Sequence, residues 1–116
     1  MILDTNALSA FVDGDRSVGE VLTRATRAAI PVIVLGEFRY GLAESRHRRA
    51  YETWLEAHLP GFEVLAVTEE TTLVYASLRV ALRKAGRPIP ANDAWIAAVA
   101  LQHRLPLLSR DEHFDA

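Results

Sequence analysis

Four short apolar runs, separated by segments with helical patterning, restrict the possible folds of this chain more than any other feature. They are "MIL" (1–3), "PVIVL" (31–35), "FEVLAV" (62–67) and "PLLS" (106–109). Short runs without polar alternation are typical of strands that are buried on both faces, as in a parallel sheet covered by helices. Strands of this kind that alternate with helices predict an α/β protein with a mostly parallel central sheet.

Capping and stop signals predict the helices between these strands. Ser17 and Glu20 have capping-box spacing, which predicts a helix start near Val18. Ser45 is a predicted cap for a helix over 46–59, which Pro60 would end. The other predicted helices are "GEFRYGLAE" after the second strand, a long helix that begins after Thr68 and ends at Lys84 and Gly86, and a helix over 93–103 capped by Asn92.

Composition narrows the class of protein. The chain has 116 residues, of which 50% are hydrophobic and 24% charged, with a formal net charge of -2. These values predict one compact domain over residues 1–116 with no overall basic field for nucleic acid. The absence of cysteine excludes disulfides and thiolate metal sites. We expect no membrane span and no secretory signal, and therefore a cytoplasmic protein.

Four acidic residues lie at predicted element boundaries. Asp4 follows the first strand, Glu37 the second and Asp111 the last, and Asp93 opens an apolar helix. Because sites in open parallel sheets form outside the carboxyl ends of the strands, the four carboxylates are expected to share one pocket. Each acid also has an ordinary explanation. Asp93 suits a helix N-terminus, Asp4 and Asp111 suit turns, and a lone Glu is usually an exposed helix residue.

Convergent carboxylates repel one another, and a divalent cation removes the conflict. Oxygen ligands without Cys, and without His at ligand spacing, favour Mg²⁺ or Mn²⁺. Such a site serves metal-assisted phosphoryl transfer. Asn6 and Ser109 are nearby neutral groups suited to orienting water or a carboxylate.

Four sequence segments resemble the successive motifs of a known family. "LDTNALSAF", "GEFRYGL", "IPANDAWIAAVAL" and "LLSRDEHF" occur in order over nearly the whole chain. Together they resemble the PIN domain, and most closely the VapC-type toxins of bacterial type II toxin–antitoxin modules. "LDTN" alone would be a weak signal, whereas the ordered set of four is highly specific.

The resemblance implies a Mg²⁺- or Mn²⁺-dependent endoribonuclease with a three-layer α/β/α fold and a sheet of four to five strands. The matching metal-binding and catalytic positions are Asp4, Glu37, Asp93 and Asp111, and Asn6 and Ser109 match supporting polar positions. It also implies a homodimer and inhibition by a VapB-like antitoxin, whose C-terminal segment lies across the active-site groove. Operator DNA would be contacted only through the antitoxin, and the RNA substrate would be transfer or ribosomal RNA.

The chain departs from the family pattern at its end. The family usually continues past the H-F-like motif into a short final strand, whereas this sequence stops at Asp115 and Ala116. Two explanations are open: the sequence is trimmed at this end, or the C-terminal edge strand is absent. His113 in this motif is interpreted as structural and not as a general base.

Two basic clusters and two aromatic residues are further candidates. Arg79, Arg83, Lys84 and Arg87 could contact RNA phosphates, as could the "SRHRR" segment at 45–49. For each cluster a solvated helix face is the competing interpretation. Phe38 and Trp95, each within two residues of a predicted ligand, are expected to shape the pocket wall or the groove that the antitoxin occupies.

Two other functions are consistent with parts of the pattern. One is a catalytically inactive PIN-like partner that acts only in an antitoxin-containing, DNA-binding autoregulatory complex. The presence of all four acids argues against it, and metal titration would distinguish the two. The other is a receiver-type phosphotransfer domain, which needs a Lys at a strand end, whereas the sole lysine, Lys84, ends a helix.

Overall fold

The computed structural model describes residues 1–109. Within this range the chain alternates short strands with helices. The elements are β1 (Ile2–Leu3), α1 (Thr5–Val12), α2 (Arg16–Arg24), β2 (Ala29–Pro31), α3 (Val32–Leu42), α4 (Arg48–His58), β3 (Glu63–Leu65), α5 (Glu69–Lys84), α6 (Ala91–His103) and β4 (Leu107–Leu108), with a turn of 3-10 helix at Leu59–Gly61.

The strands described form one parallel sheet in the order β3-β2-β1-β4. Ile2 of β1 aligns with Ala29 of β2 on one side and with Leu107 of β4 on the other. In β2, Ile30 aligns with Val64 of β3. The predicted parallel α/β sheet is therefore confirmed, with β1 between β2 and β4 and Asp4 directly after β1.

Alternate residues of β1 and β2 enter hydrophobic cores on opposite faces of the sheet. Leu3 and Ile30 pack with buried residues of α1, α3 and α4, including the fully buried Leu8 and Val34. Ile2 and Ala29 pack on the other face with Val99 and Ala100 of α6, along which α5 lies. The sheet thus has helices on both sides, the predicted three-layer arrangement.

The prediction of a strand over "PVIVL" was wrong. Only Ala29–Pro31 pairs in the sheet, and helix α3 begins at Val32. The buried residues of α3 are Val34, Phe38 and Leu42, which recur every fourth position and so lie on one face of a helix. A short apolar run has no periodicity of its own, so only the residues after it reveal the helix. Glu37 therefore lies inside α3 and not directly after a strand.

Three predicted helix caps were also wrong. Helix α2 begins at Arg16, because the Asp15 side chain accepts from the Val18 amide and Ser17 instead donates to Asp15. Ser45 accepts from the His47 amide, a turn contact that precedes α4. Pro90, not Asn92, precedes the first residue of α6.

The predicted long helix is confirmed. Thr68 caps α5 in a capping box with Thr71, and the helix ends at Lys84. Gly86 follows with a φ of 72°, a left-handed conformation that glycine adopts without strain. The other predicted strands are correct in place but longer than those observed: β3 and β4 cover Glu63–Leu65 and Leu107–Leu108. No helix in residues 1–109 is both long and apolar enough to cross a membrane.

Candidate active site

Asp4 is a buried carboxylate fixed by contacts from two directions. It follows β1, has only 2% of its surface exposed, and caps helix α1. Its Oδ1 accepts a hydrogen bond from the Ala7 amide at 2.7 Å. Its Oδ2 accepts one from the Ser109 hydroxyl, which lies just past β4. Ser109 therefore supports Asp4 directly, and the carboxylate has a defined orientation.

Glu37 projects from α3 and is held by a residue that the sequence analysis did not identify. The Thr5 hydroxyl donates to Glu37 Oε1 at 2.7 Å. Thr5 is the first residue of α1 and stands 32 positions away in the chain. The only sequence signal for this role is its position next to Asp4 in "LDTN". Because the contact joins two helices, only the fold reveals it.

Asp93 lies in the first turn of α6, partly buried. The helix behind it is anchored in the protein interior through Ala94, Ile96, Ala98 and Val99. A side chain on a packed helix has a well-fixed starting point, which a precise site needs. Most of the apolar run that follows Asp93 is thus buried, although Leu101 at its end is exposed.

The three acids line one cavity of about 130 Å³. We call it the acid cavity, and its lining residues are Asp4, Thr5, Asn6, Glu37, Asp93 and Ile96. The carboxylates come from the loop after β1, from α3 and from α6. The fourth predicted acid, Asp111, lies outside the described residues, as does His113.

The spacing of these acids is loose. Among residues 1–109, no three carboxylate or imidazole groups lie close enough together to enclose an ion by themselves. Two helix N-termini also face the acid cavity, because Asp4 caps α1 and Asp93 lies in the first turn of α6. The partial positive charge at a helix N-terminus stabilises nearby carboxylates and so offsets part of their mutual repulsion.

A second cavity of about 260 Å³ continues from the first and shares Thr5 and Glu37 with it. We call it the α1–α3 groove, and its other lining residues are Ser9, Val12, Asp13, Phe38, Gly41, Leu42, Ser45 and Tyr51. The Tyr51 hydroxyl donates to Asp13 Oδ1 at 3.1 Å, and this bond raises the pKa of Tyr51. The groove therefore combines an apolar floor with carboxylates at Glu37 and Asp13.

Of the two aromatic residues expected in the pocket wall or the antitoxin groove, one lines a cavity described above. Phe38 lines the α1–α3 groove, beside the acid cavity. Trp95 is not among the lining residues of either cavity and instead stacks on Tyr75 of α5, with ring centroids 3.7 Å apart. Successive residues of a helix point about 100° apart, so a residue two positions after Asp93 points away from the side that Asp93 faces.

The two basic clusters differ in their surroundings. Arg79 and Arg83 line a third cavity, of about 210 Å³, at the end of α5. Lys84 and Arg87 are exposed nearby. In the other cluster, Arg48 forms an ion pair with Glu52 one helical turn away, at 3.0 Å. That contact favours a solvated helix face for the "SRHRR" segment.

The fold and this site together define a class: a three-layer α/β protein with carboxylates from separate elements around one cavity beyond the carboxyl end of an inner strand. Residues 1–116 match the model of the PIN domain. The chain belongs to the PIN domain family.

Known proteins similar to the chain agree with this assignment. It is 34% identical to Ribonuclease VapC5 of Mycobacterium tuberculosis over 117 aligned residues, which cover 99% of this chain and 85% of that protein. The fold is similar to that of FitAcB from Neisseria gonorrhoeae, with a TM-score of 0.87, 29% identity, and coverage of 97% of this chain and 88% of that one. It is also similar to VapBC2 from Rickettsia felis bound to a promoter DNA fragment, with a TM-score of 0.85, 27% identity, and coverage of 96% and 86%.

Proposed function

We propose that this protein is a ribonuclease toxin of a toxin–antitoxin pair, which hydrolyses RNA phosphodiester bonds with the help of Mg²⁺ or Mn²⁺. The observation that carries the proposal is the acid cavity, where Asp4, Glu37 and Asp93 meet from three separate elements. Proteins similar to this chain are named ribonucleases. We propose that residues 1–116 act as one PIN domain, in the cytoplasm, where RNA is available.

The donor set fits a hard divalent cation. Within residues 1–109, the polar side chains that line the acid cavity are three carboxylates, a hydroxyl and an amide, with no sulfur or imidazole among them. Mg²⁺ usually retains several waters and takes only one or two carboxylates from a protein. A loose arrangement of acids is therefore compatible with such an ion. Asp4, Glu37 and Asp93 would hold it, directly or through its waters, and Asp111 is proposed as a fourth ligand.

A divalent cation in this cavity would lower the pKa of a water molecule and stabilise negative charge on the phosphate. The residues of the chain supply the geometry. The Ala7 amide and the Ser109 hydroxyl orient Asp4, and the Thr5 hydroxyl orients Glu37. Hydrolysis of the P–O3′ bond by water would leave a 5′-phosphate and a 3′-hydroxyl. Asn6 lines the cavity and is proposed to orient water or substrate.

The proposed partner is a VapB-like antitoxin. The solved neighbours include a VapBC pair bound to promoter DNA and a FitAB pair bound to a DNA fragment. We propose that the antitoxin covers the α1–α3 groove and that, within the complex, the antitoxin is the protein that contacts operator DNA. A homodimer is proposed on the basis of the family resemblance.

Asp4 and Asp15 offer a matched test. Both are helix N-caps whose side chains accept from an amide three residues on, at 2.7 and 3.1 Å, but only Asp4 lines the acid cavity. We expect expression of the wild type to arrest growth, Asp4→Asn to abolish the arrest, and Asp15→Asn to preserve it. Equal toxicity of Asp4→Asn and wild type, at equal protein levels, would rule out the site.

A further inference from the structure

One segment of the chain is positively charged, although the chain as a whole has a negative net charge. Between Glu70 and Asp93 there is no acidic residue, but there are four basic ones: Arg79, Arg83, Lys84 and Arg87. The chain as a whole has a formal net charge of -2. Positive charge is thus concentrated in the stretch that leads directly to the acid cavity.

Two of these basic side chains line a concave surface. Arg79 and Arg83 line the third cavity together with Val80, Leu82, Pro88 and Ile89. We call it the α5–α6 basic cavity. Two guanidinium groups beside an apolar surface form a combination that suits a phosphodiester strand. The guanidinium groups contact phosphate oxygens and the apolar atoms contact sugars or base faces.

Arg79 is also held in place before any ligand binds. Its Nη1 donates to the Tyr75 hydroxyl at 2.8 Å, and its guanidinium lies 5.6 Å from the centre of the Tyr75 ring. Tyr75 in turn stacks on Trp95 of α6. A pre-oriented arginine loses less conformational entropy on binding than a free one.

The basic cavity lies close to the acid cavity along the chain. Ile89 lines the former and Asp93 lines the latter. Four residues of chain separate their Cα atoms by at most about 14 Å, and less where α6 is already helical. A strand held at the basic cavity therefore needs to extend only a short distance to reach the three acids.

We propose that the α5–α6 basic cavity binds the backbone of single-stranded RNA next to the bond that is cut in the acid cavity. The proposal rests on the proposed ribonuclease function and specifies how the substrate is held. Because three carboxylates repel RNA, the site needs a neighbouring source of attraction. Phosphate contacts supply affinity that does not depend on base sequence.

A competing explanation is that these basic residues only stabilise the C-terminal end of α5. Basic residues in a last helical turn stabilise the helix dipole, and Arg83 and Lys84 occupy that turn of α5. Arg24 likewise lies in the last turn of α2 and does not line the basic cavity, which makes it a matched control. Both arginines are exposed, so neither substitution removes core packing.

The test compares Arg83→Gln with Arg24→Gln in the full chain. Binding of fluorescein-labelled single-stranded RNA is followed by anisotropy at several salt concentrations, in EDTA so that cleavage does not occur. We expect Arg83→Gln to weaken binding for all sequences tested and to reduce the slope of log affinity against log salt by about 0.7, the value for one phosphate contact on a single strand. Arg24→Gln should leave affinity and slope unchanged.

Several results would overturn the proposal: no RNA binding by the wild type, an unchanged slope in Arg83→Gln, or equal losses in both variants. Equal weakening of polyglutamate binding by Arg83→Gln would indicate a general anion site and would also overturn it. Thermal unfolding checks that both variants fold. Because binding is measured without cleavage, intact binding together with inactive enzyme would refute the proposed ribonuclease function and not this site.

Discussion

Asp4 has a structural role in addition to its proposed chemical one, and the two roles can be separated by substitution. Asp4→Ala removes the cap of α1, which costs about 1 kcal/mol. It also leaves the partly buried Ser109 hydroxyl without this acceptor, at about 1–3 kcal/mol. The expected loss is therefore about 2–4 kcal/mol, a large share of the 5–15 kcal/mol typical of folded domains.

The control variant is Asp15→Ala. Asp15 caps α2, and the Ser17 hydroxyl that donates to it is exposed. Because an exposed hydroxyl can donate to water instead, losing this contact adds little to the loss of the cap, and the expected cost is about 1 kcal/mol. Asp4→Asn keeps an oxygen for the Ala7 amide, and its amide group can donate to the Ser109 oxygen. This change should cost less than Asp4→Ala.

Urea unfolding followed by circular dichroism measures all three free energies of unfolding. The buffer contains EDTA, so that bound metal does not add stability. It also contains about 1 M salt, which shortens the screening length to about 3 Å. Carboxylate repulsion is then weak, so that removal of one acid does not stabilise the protein by reducing this repulsion. If Asp4→Ala destabilises the protein no more than Asp15→Ala, the contact between Asp4 and Ser109 does not contribute as reasoned.

Three further predictions test other contacts. Thr5→Val should lower the Mn²⁺ affinity measured by calorimetry about 10- to 100-fold, because the Thr5 hydroxyl orients a carboxylate of the acid cavity. The control, Thr72→Val, removes an exposed hydroxyl bonded within α5 and should leave the Mn²⁺ affinity unchanged. Leu55→Ala, at a core position that is 1% exposed, should lower the free energy of unfolding in urea by about 2–5 kcal/mol. A loss below about 1 kcal/mol would contradict the tight packing of this side chain in the core. The Arg27 guanidinium lowers the pKa of Glu63, so this pair stabilises the fold above the usual glutamate pKa and the contribution is lost as pH falls. The stability difference between wild type and Glu63→Gln should therefore shrink from pH 7 to about pH 3, and a difference that grows would contradict it.

The sequence predicted the parallel sheet and most of the acid cavity for identifiable reasons. Short apolar runs require burial on both faces, which leaves few arrangements other than a sheet between helices. Asp4 and Asp93 lie at chain positions, after a strand and at a helix start, that such a fold brings to one edge. Thr68 and Gly86 mark the ends of α5 because acidic residues follow the threonine and basic residues precede the glycine, as the helix dipole favours.

Other features were missed because local signals competed or because the contact is distant. Two cap-competent residues, Asp15 and Ser17, stand close together, and the carboxylate became the cap. The "PVIVL" run has no internal period, so its change from strand to helix at Val32 was not visible. The contact between Thr5 and Glu37 joins residues of different helices, and no local pattern encodes it.

The central claim is that the acid cavity is a metal-dependent ribonuclease site. The most direct measurement is the single-turnover rate of RNA cleavage by the purified chain in Mn²⁺, for wild type, Glu37→Gln and Asp93→Asn. We expect the wild type to cleave with 5′-phosphate and 3′-hydroxyl ends and to stop in EDTA. Each variant should be slower by about 100-fold or more, which corresponds to about 3 kcal/mol of lost transition-state stabilisation. Cleavage at the wild-type rate by both variants, or undiminished cleavage in EDTA, would contradict the account.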